Sequence, residues 1–281
     1  MLEVKNLSTY FKQGDSTVKA VDNVSFSVAK GEILGLVGES GSGKSTIAHS
    51  ILKLIPASAS VSGEIIFENR NLLQLAEPEL IKIRGSKISM IFQDPFTSLN
   101  PVLTIGEQIA EVLRFHQGMN RQQARDRAIE LLETVRIRNS GLRVRDYPHQ
   151  FSGGMQQRVM IAIALACEPE FLIADEPTTA LDVTIQAEIL RLIVELKEKF
   201  NLGIMYITHN FGIVKNICQR VVVLNKGRVV EEGETGQIFS NPQQAYTQRL
   251  IECLRVLTHP PTPSLSKRGG GVLSADGGEL L

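Results

Sequence analysis

Ten residues, Val37 to Thr46, constrain this chain more than any others. They read Val-Gly-Glu-Ser-Gly-Ser-Gly-Lys-Ser-Thr and follow the apolar run Ile33-Leu34-Gly35-Leu36. A buried strand, a glycine-rich turn and a helix start together let backbone N–H groups converge on phosphate. Gly38 and Gly43 bracket the spacing G-x-x-x-x-G-K-S with Gly41 between them, so the backbone curls without Cβ clashes. Glu39, Ser40, Ser42 and Thr46 complete the cradle. Lys44 is placed to reach the β- and γ-phosphates of a nucleotide. Ser45 offers a hydroxyl to Mg²⁺, and the helix beginning here adds its positive end. A flexible loop rich in Gly and Ser explains neither the strand before it nor the Lys-Ser ending.

Other strand ends carry matching chemistry. Phe171-Leu172-Ile173-Ala174 reads as a buried strand delivering Asp175 and Glu176 side by side, and Ile204 to Thr208 as another ending at His209. Two acids beside a phosphate loop divide one task. Asp175 holds Mg²⁺ through water, and Glu176 takes a proton from the water that attacks the γ-phosphate. Helix capping accounts for one of these acids, hardly for both. A lone histidine is commonly structural, but the place of His209 at a strand's carboxyl end points toward phosphate. Lys87 to Phe92 predicts a further buried strand, ending at Gln93-Asp94-Pro95. Tyr10 and Phe11 either pack within a strand or stack on a base; the residues alone leave both open.

The remaining elements follow from periodicity and turn chemistry. Leu2–Ser8 and Ala20–Val28 predict an antiparallel pair separated by the polar stretch Lys12–Lys19, and Gly63–Leu72 a strand with a turn. From Phe96 to about Gln150 the pattern is helical, with Asn120 and Gln123 forming a capping box and Ala124, Ala128, Leu131, Leu132 and Val135 sharing a face. Arg136, Arg138, Arg143 and Arg145 read as a solvated face, since no aromatics interleave with them. Ser152-Gly153-Gly154-Met155-Gln156 opens an apolar helix stopped by Pro169. Its exposed N–H groups make either a second anion site or a plain cap. Asp182 is expected to cap a helix that Gly203 stops, Asn225-Lys226-Gly227 to turn a hairpin, and Asn241-Pro242 to start a last helix.

Composition narrows the class. With 281 residues, 43% of them hydrophobic, a sizeable core is expected. Lys plus Arg equals Asp plus Glu at 30 each, which gives no global attraction to nucleic acid or an acidic membrane. Cys167, Cys218 and Cys253 are far apart, which speaks for a reducing compartment and against a zinc site or disulfide framework. The N-terminus lacks the pattern of a secretory signal. No apolar stretch approaches the roughly 18 to 20 residues of a spanning helix, so any membrane role runs through a partner.

Taken in order, the phosphate loop, Gln93, the Ser-Gly-Gly segment, Asp175-Glu176, Ala180-Leu181-Asp182 and His209 resemble the ATPase subunit of an ABC transporter, over about residues 1–250. Ser152 to Gln156 is the most diagnostic part. Met155 replaces the glutamine commonest there. The flanking Gln93-Asp94-Pro95-Phe96-Thr97-Ser98-Leu99-Asn100-Pro101 and Tyr147-Pro148-His149-Gln150 look like the dipeptide, oligopeptide and nickel importer branch of bacteria. The resemblance implies an α/β fold: a P-loop NTPase (RecA-like) core, an antiparallel β subdomain and an inserted α-helical subdomain at about 96–160. Residues 251–281 would finish the last helix and form a Pro/Gly-rich tail. Many members of the branch carry a cysteine-rich C-terminal extension; only Cys253 lies there, so no iron–sulfur cluster is expected.

The same resemblance implies the functional parts. Phe11 stacks on adenine, with Tyr10 as the fallback. Gln93 touches Mg²⁺ and the attacking water and links them to the membrane subunit. Ser152, Gly153, Gly154, Met155 and Gln156 grip ATP held by an opposite subunit, and Asp182 lies across that interface. His209 contacts the γ-phosphate. Glu176, His209, Gln93 and Lys44 form the catalytic set, and Ser45, Gln93 and Asp175 the metal set. The implied cofactors are ATP and Mg²⁺. The implied partners are a second ABC ATPase subunit (this chain or a relative), two transmembrane permeases and, indirectly, an extracytoplasmic substrate-binding protein, with no nucleic acid. The expected place is the cytoplasmic face of the inner membrane, bound peripherally. Two rival readings are an ATPase of this type acting on nucleic acid or ribosomes, and a scaffold that binds nucleotide without hydrolysing it.

Overall fold

The computed structural model describes residues 1–14, 16–179 and 181–258. The tail beyond Thr258, the side chain of Cys253 and Ala180 lie outside the described residues. The chain opens with β1 (Leu2–Gln13) and β2 (Ser16–Val28), paired antiparallel. Both strands run further than the apolar pattern predicts, because the polar stretch between them is held by cross-strand pairing as far as Gln13 and Ser16. Next come β3 (Ile33–Val37), α1 (Lys44–Ile51), β4 (Ala59–Phe67) and β5 (Arg70–Asn71). β4 returns to pair with β1, giving a four-stranded antiparallel sheet in the order β2-β1-β4-β5.

After α2 (Glu77–Ile81) and β6 (Ile88–Ile91) the chain is helical: α3 (Pro95–Ser98), α4 (Ile105–Gln117), α5 (Arg121–Thr134), α6 (Ser140–Arg143) and α7 (Gly153–Leu165). Asn120 and Gln123 close the capping box of α5, satisfying two orphan donors at its start. The rest alternates: β7 (Phe171–Asp175), α8 (Val183–Phe200), β8 (Gly203–Thr208), α9 (Phe211–Ile217), β9 (Arg220–Asn225), β10 (Arg228–Glu234), α10 (Thr235–Ser240) and α11 (Ala245–Thr258). The helix α8 ends at Asn201, which takes the left-handed conformation (φ 51°), and not at Gly203. Gly203 already belongs to β8. A Cβ there would stand 2.3 Å from the Phe171 ring and 2.6 Å from the Ala29 carbonyl, so close packing explains that glycine.

The second sheet has the order β10-β9-β3-β8-β7-β6, parallel except for the edge pair β10–β9. Every residue of β3, β7 and β8 is buried, because both faces are covered. Alternation then splits each strand between two cores. Leu34, Leu36, Ile173 and Ile207 face α1 and the antiparallel sheet, whereas Ile33, Leu172, Ile204 and Tyr206 face the helices α4, α5, α7 and α8. Because β6, β7, β8 and β3 are parallel neighbours, their carboxyl ends lie along one edge. Gln93, Glu176, His209 and the phosphate loop follow those four ends. No helix among the described residues is long and apolar enough to cross a membrane.

Candidate functional site

The phosphate loop leaves β3 and becomes α1 at Gly43. That residue has φ 102°, and a Cβ on it would meet the Ala20 carbonyl at 2.4 Å, so only glycine fits. The loop closes on itself through Ser42 N–H donating to the Glu39 carbonyl at 3.2 Å, and it rests on the β9–β10 turn through Gly227 N–H donating to the Ser42 carbonyl at 2.9 Å. Lys44 is buried, and its Nζ donates to the carbonyls of Gly38 and Glu39, both at 2.9 Å. Burial lowers its pKa, against the pull of Glu176 and Asp175. The Ser42 hydroxyl is buried without a hydrogen-bond partner.

At the end of β7, the Ser45 hydroxyl donates to Asp175 Oδ1 at 3.1 Å, joining residues 130 positions apart. Burial raises the Asp175 pKa, against the Ser45 hydrogen bond and the nearby His49. Glu176 is held differently. Its backbone is left-handed (φ 46°), a conformation that costs a non-glycine residue about 1 kcal/mol or more and that collects at functional positions. Its carboxylate accepts hydrogen bonds from Thr179 Oγ1 at 3.0 Å, Gln93 Nε2 at 3.3 Å and His209 Nδ1 at 3.0 Å. A carboxylate only accepts, so the histidine proton sits on Nδ1. Burial works to raise the Glu176 pKa, but the bonds from His209 and Thr179 outweigh it and hold the carboxyl below its ordinary value.

These groups surround one cavity of about 760 Å³, lined by Gly38 to Gly41, Gly43 to Thr46, Gln93, Glu176 and His209. Thr179 and Leu250 also line it. Neither carries a motif in the sequence; Thr179 follows Glu176 by one helical turn's spacing, the only signal available. Neither Phe11 nor Tyr10 lines it. Phe11 pairs with Val18 across the hairpin, and the Lys19 ammonium lies 5.4 Å from the centre of the Tyr10 ring.

Ser152 to Gln156 stand elsewhere. Ser152 caps α7, accepting from Met155 N–H at 3.4 Å, and Ser152, Gly154 and Met155 line a separate cavity of about 700 Å³ with Arg136, Arg138, Arg143, Arg158 and Arg191. The arginines expected to form a plain solvated face thus converge in part on this cavity, although Arg145 does not line it. Gly153 packs toward Leu181 and Phe96. Gln156 corrects the expectation that it faces a ligand. Its side chain is buried and its Nε2 donates to the carbonyls of Pro148 at 2.9 Å and Phe151 at 3.2 Å, tying the helix to the turn before it. Asp182 is exposed and caps α8, accepting from Ile185 N–H at 3.0 Å.

The donor set suits a hard cation bound together with phosphate. Ser45 and Asp175 supply one hydroxyl and one carboxylate, oxygen ligands of the kind Mg²⁺ takes when substrate phosphates complete its shell. No group of three or more His, Cys, Asp or Glu residues among the described residues is arranged to hold a metal ion without such help.

A family model described as ABC transporter matches residues 21–179. The chain is 50% identical over 259 residues to the oligopeptide transport ATP-binding protein AppD of Bacillus subtilis, covering 92% of this chain and 79% of that protein. It is 50% identical over 254 residues to the oligopeptide transport ATP-binding protein OppD of Haemophilus influenzae, covering 90% and 79%. Among solved structures, a dimeric ATP-binding cassette in a post-hydrolysis state, bound to ADP and Pi, is similar with a TM-score of 0.74 and 34% identity, over 84% of this chain and 99% of that one.

Proposed function

This chain belongs to the ABC transporter family, and we propose that it hydrolyses ATP to power a membrane importer of peptides. One observation carries the reading. Lys44, Gln93, Glu176 and His209 converge on the cavity of the phosphate loop, and Ser45 reaches Asp175 at its edge. The Lys44 ammonium and the loop N–H groups hold the phosphates. Glu176 accepts the proton of the attacking water. His209 and Thr179 keep that carboxylate ionised and aimed, while the Gln93 amide on the same carboxylate connects it to the segment after β6. Ser45 and Asp175 would hold Mg²⁺, which supplies charge neutralisation to the phosphate oxygens when bound.

The cavity at the head of α7 serves the nucleotide of a second ATPase subunit, either another copy or a relative. Its donors and arginines complete a site that the phosphate loop leaves open on one side. Asp182, exposed beside it, belongs to the same interface. Phe11 stays assigned to the adenine, at the rim of the antiparallel sheet. The motor sits peripherally on the inner face of the cell membrane, against two permease subunits that an extracytoplasmic binding protein supplies. Peptide is favoured over nickel as cargo because relatives at 50% identity are named for oligopeptides.

Affinity purification from solubilised membranes tests this. Co-purification of two membrane subunits and phosphate release stimulated by peptide-loaded binding protein are expected. ATPase stimulation by duplex DNA or ribosomes, with no membrane partner recovered, would overturn it.

A further inference from the structure

The helix α11 carries none of the motifs above and lies beyond residues 21–179, yet it reaches the phosphate loop. We propose that Tyr246 is a positioning residue for nucleotide binding, bracing the loop through the backbone of Glu39 and thereby setting the place of Lys44. The proposal rests on the reading of that cavity as the ATP site.

The chain of contacts is short. Glu39 N–H donates to the Tyr246 hydroxyl at 3.3 Å across 207 positions of sequence, and the Glu39 carbonyl accepts from Lys44 Nζ at 2.9 Å. One residue's backbone therefore stands between a phenol on α11 and the ammonium that meets phosphate. Leu250, one turn along the same helix face, lines the cavity itself. The helix is well placed to act as a brace. The N–H groups of Gln243 and Gln244, just before it, donate to the Glu231 carboxylate on β10 at 2.7 and 3.2 Å. Thr247 and Ile251 are buried, and Tyr246 and Leu250 pack on the helical core. The phosphate loop, with three glycines between Val37 and Lys44, has little side-chain packing of its own. Its position is set by what its peptides bond to.

Replacing Tyr246 by Phe keeps the ring and removes the bond, which separates bracing from mere packing. Binding of a fluorescent N-methylanthraniloyl-ATP to the full chain is measured for the wild type, Tyr246→Phe and Lys44→Ala, with melting temperatures taken without nucleotide. KM and kcat for ATP follow on the assembled complex. Tyr246→Phe is expected to weaken binding and raise KM by roughly two- to tenfold, the worth of one net hydrogen bond, with kcat unchanged and the nucleotide-free melting temperature lowered by no more than about 2 to 4 °C. Wild-type affinity in Tyr246→Phe alongside lost binding in Lys44→Ala would overturn the brace and leave the ATP site standing. A fall in kcat and in melting temperature without a change in KM would likewise reduce Tyr246 to packing. Failure of the wild type to bind the analogue would remove the ATP site, and the brace with it.

Discussion

In the phosphate-loop cavity the reactive groups are already bonded to one another: Lys44 to the loop carbonyls, Ser45 to Asp175, and Gln93, Thr179 and His209 to Glu176. The cavity at the head of α7 is dominated by donors and positive charge. Its lining carboxylate, Glu188, is occupied by Arg158 at 2.9 Å. Among the described residues, none lines both cavities. The first region gathers the groups proposed for hydrolysis, and the second gathers arginines and the cap of α7. That division is what the proposal requires, in which the second region meets a nucleotide that another subunit holds.

The comparison breaks first at Glu176. Glu176→Gln should cut phosphate release by the assembled complex about 10²- to 10⁴-fold while equilibrium ATP binding persists, as for loss of a general base. Unchanged turnover would take the base role from the first region. Lys44→Ala should weaken ATP binding to the isolated chain roughly 10- to 100-fold, the worth of charge-assisted hydrogen bonds, as read by equilibrium titration. Ser152→Ala sharpens the contrast. In every subunit it should suppress turnover yet leave the isolated chain's ATP affinity untouched, with a cap loss of about 1 kcal/mol visible in thermal unfolding. Full-speed hydrolysis after that change would dissolve the division between the regions.

The smallest effect is a displacement along the pH axis. Burial pushes the Glu176 carboxyl up, and the bonds from His209 and Thr179 bring it below its ordinary value. A base with a depressed pKa stays ionised as the pH falls, and the stability that its ionised form contributes is present above the unfolded-state value and lost as pH drops through the folded one. Removing His209 leaves burial less opposed. The acid limb of kcat/KM should therefore move to higher pH in His209→Ala, and an unmoved limb would separate His209 from the carboxylate.

Much of this was legible in the sequence, because strand ends in a parallel sheet are chemically distinctive. The runs before Gly38 and Asp175 are wholly apolar, and the one before His209 is apolar up to Thr208, because both sheet faces are covered; a polar group after such a run stands at the ligand edge. Caps at Asn120, Ser152 and Asp182 were legible for local reasons. What stayed hidden depends on distance or on backbone state. The polar extension of β1 and β2 exists only as a pair. Asn201 outcompeted Gly203 for the helix end because Gly203 was needed beneath Phe171. The inward turn of Gln156, the positive φ of Glu176 and the reach of Tyr246 to Glu39 have no counterpart in periodicity.

The stretch from Glu176 to Ile185 touches both regions. Thr179 bonds the Glu176 carboxylate, Leu181 lies beside Gly153, and Ile185 lines the arginine cavity. In the proposed pair, that stretch would run from the groups that meet one nucleotide to those that meet the other. A change at Glu176 would then have only that short stretch to cross before it is felt beside the neighbouring nucleotide.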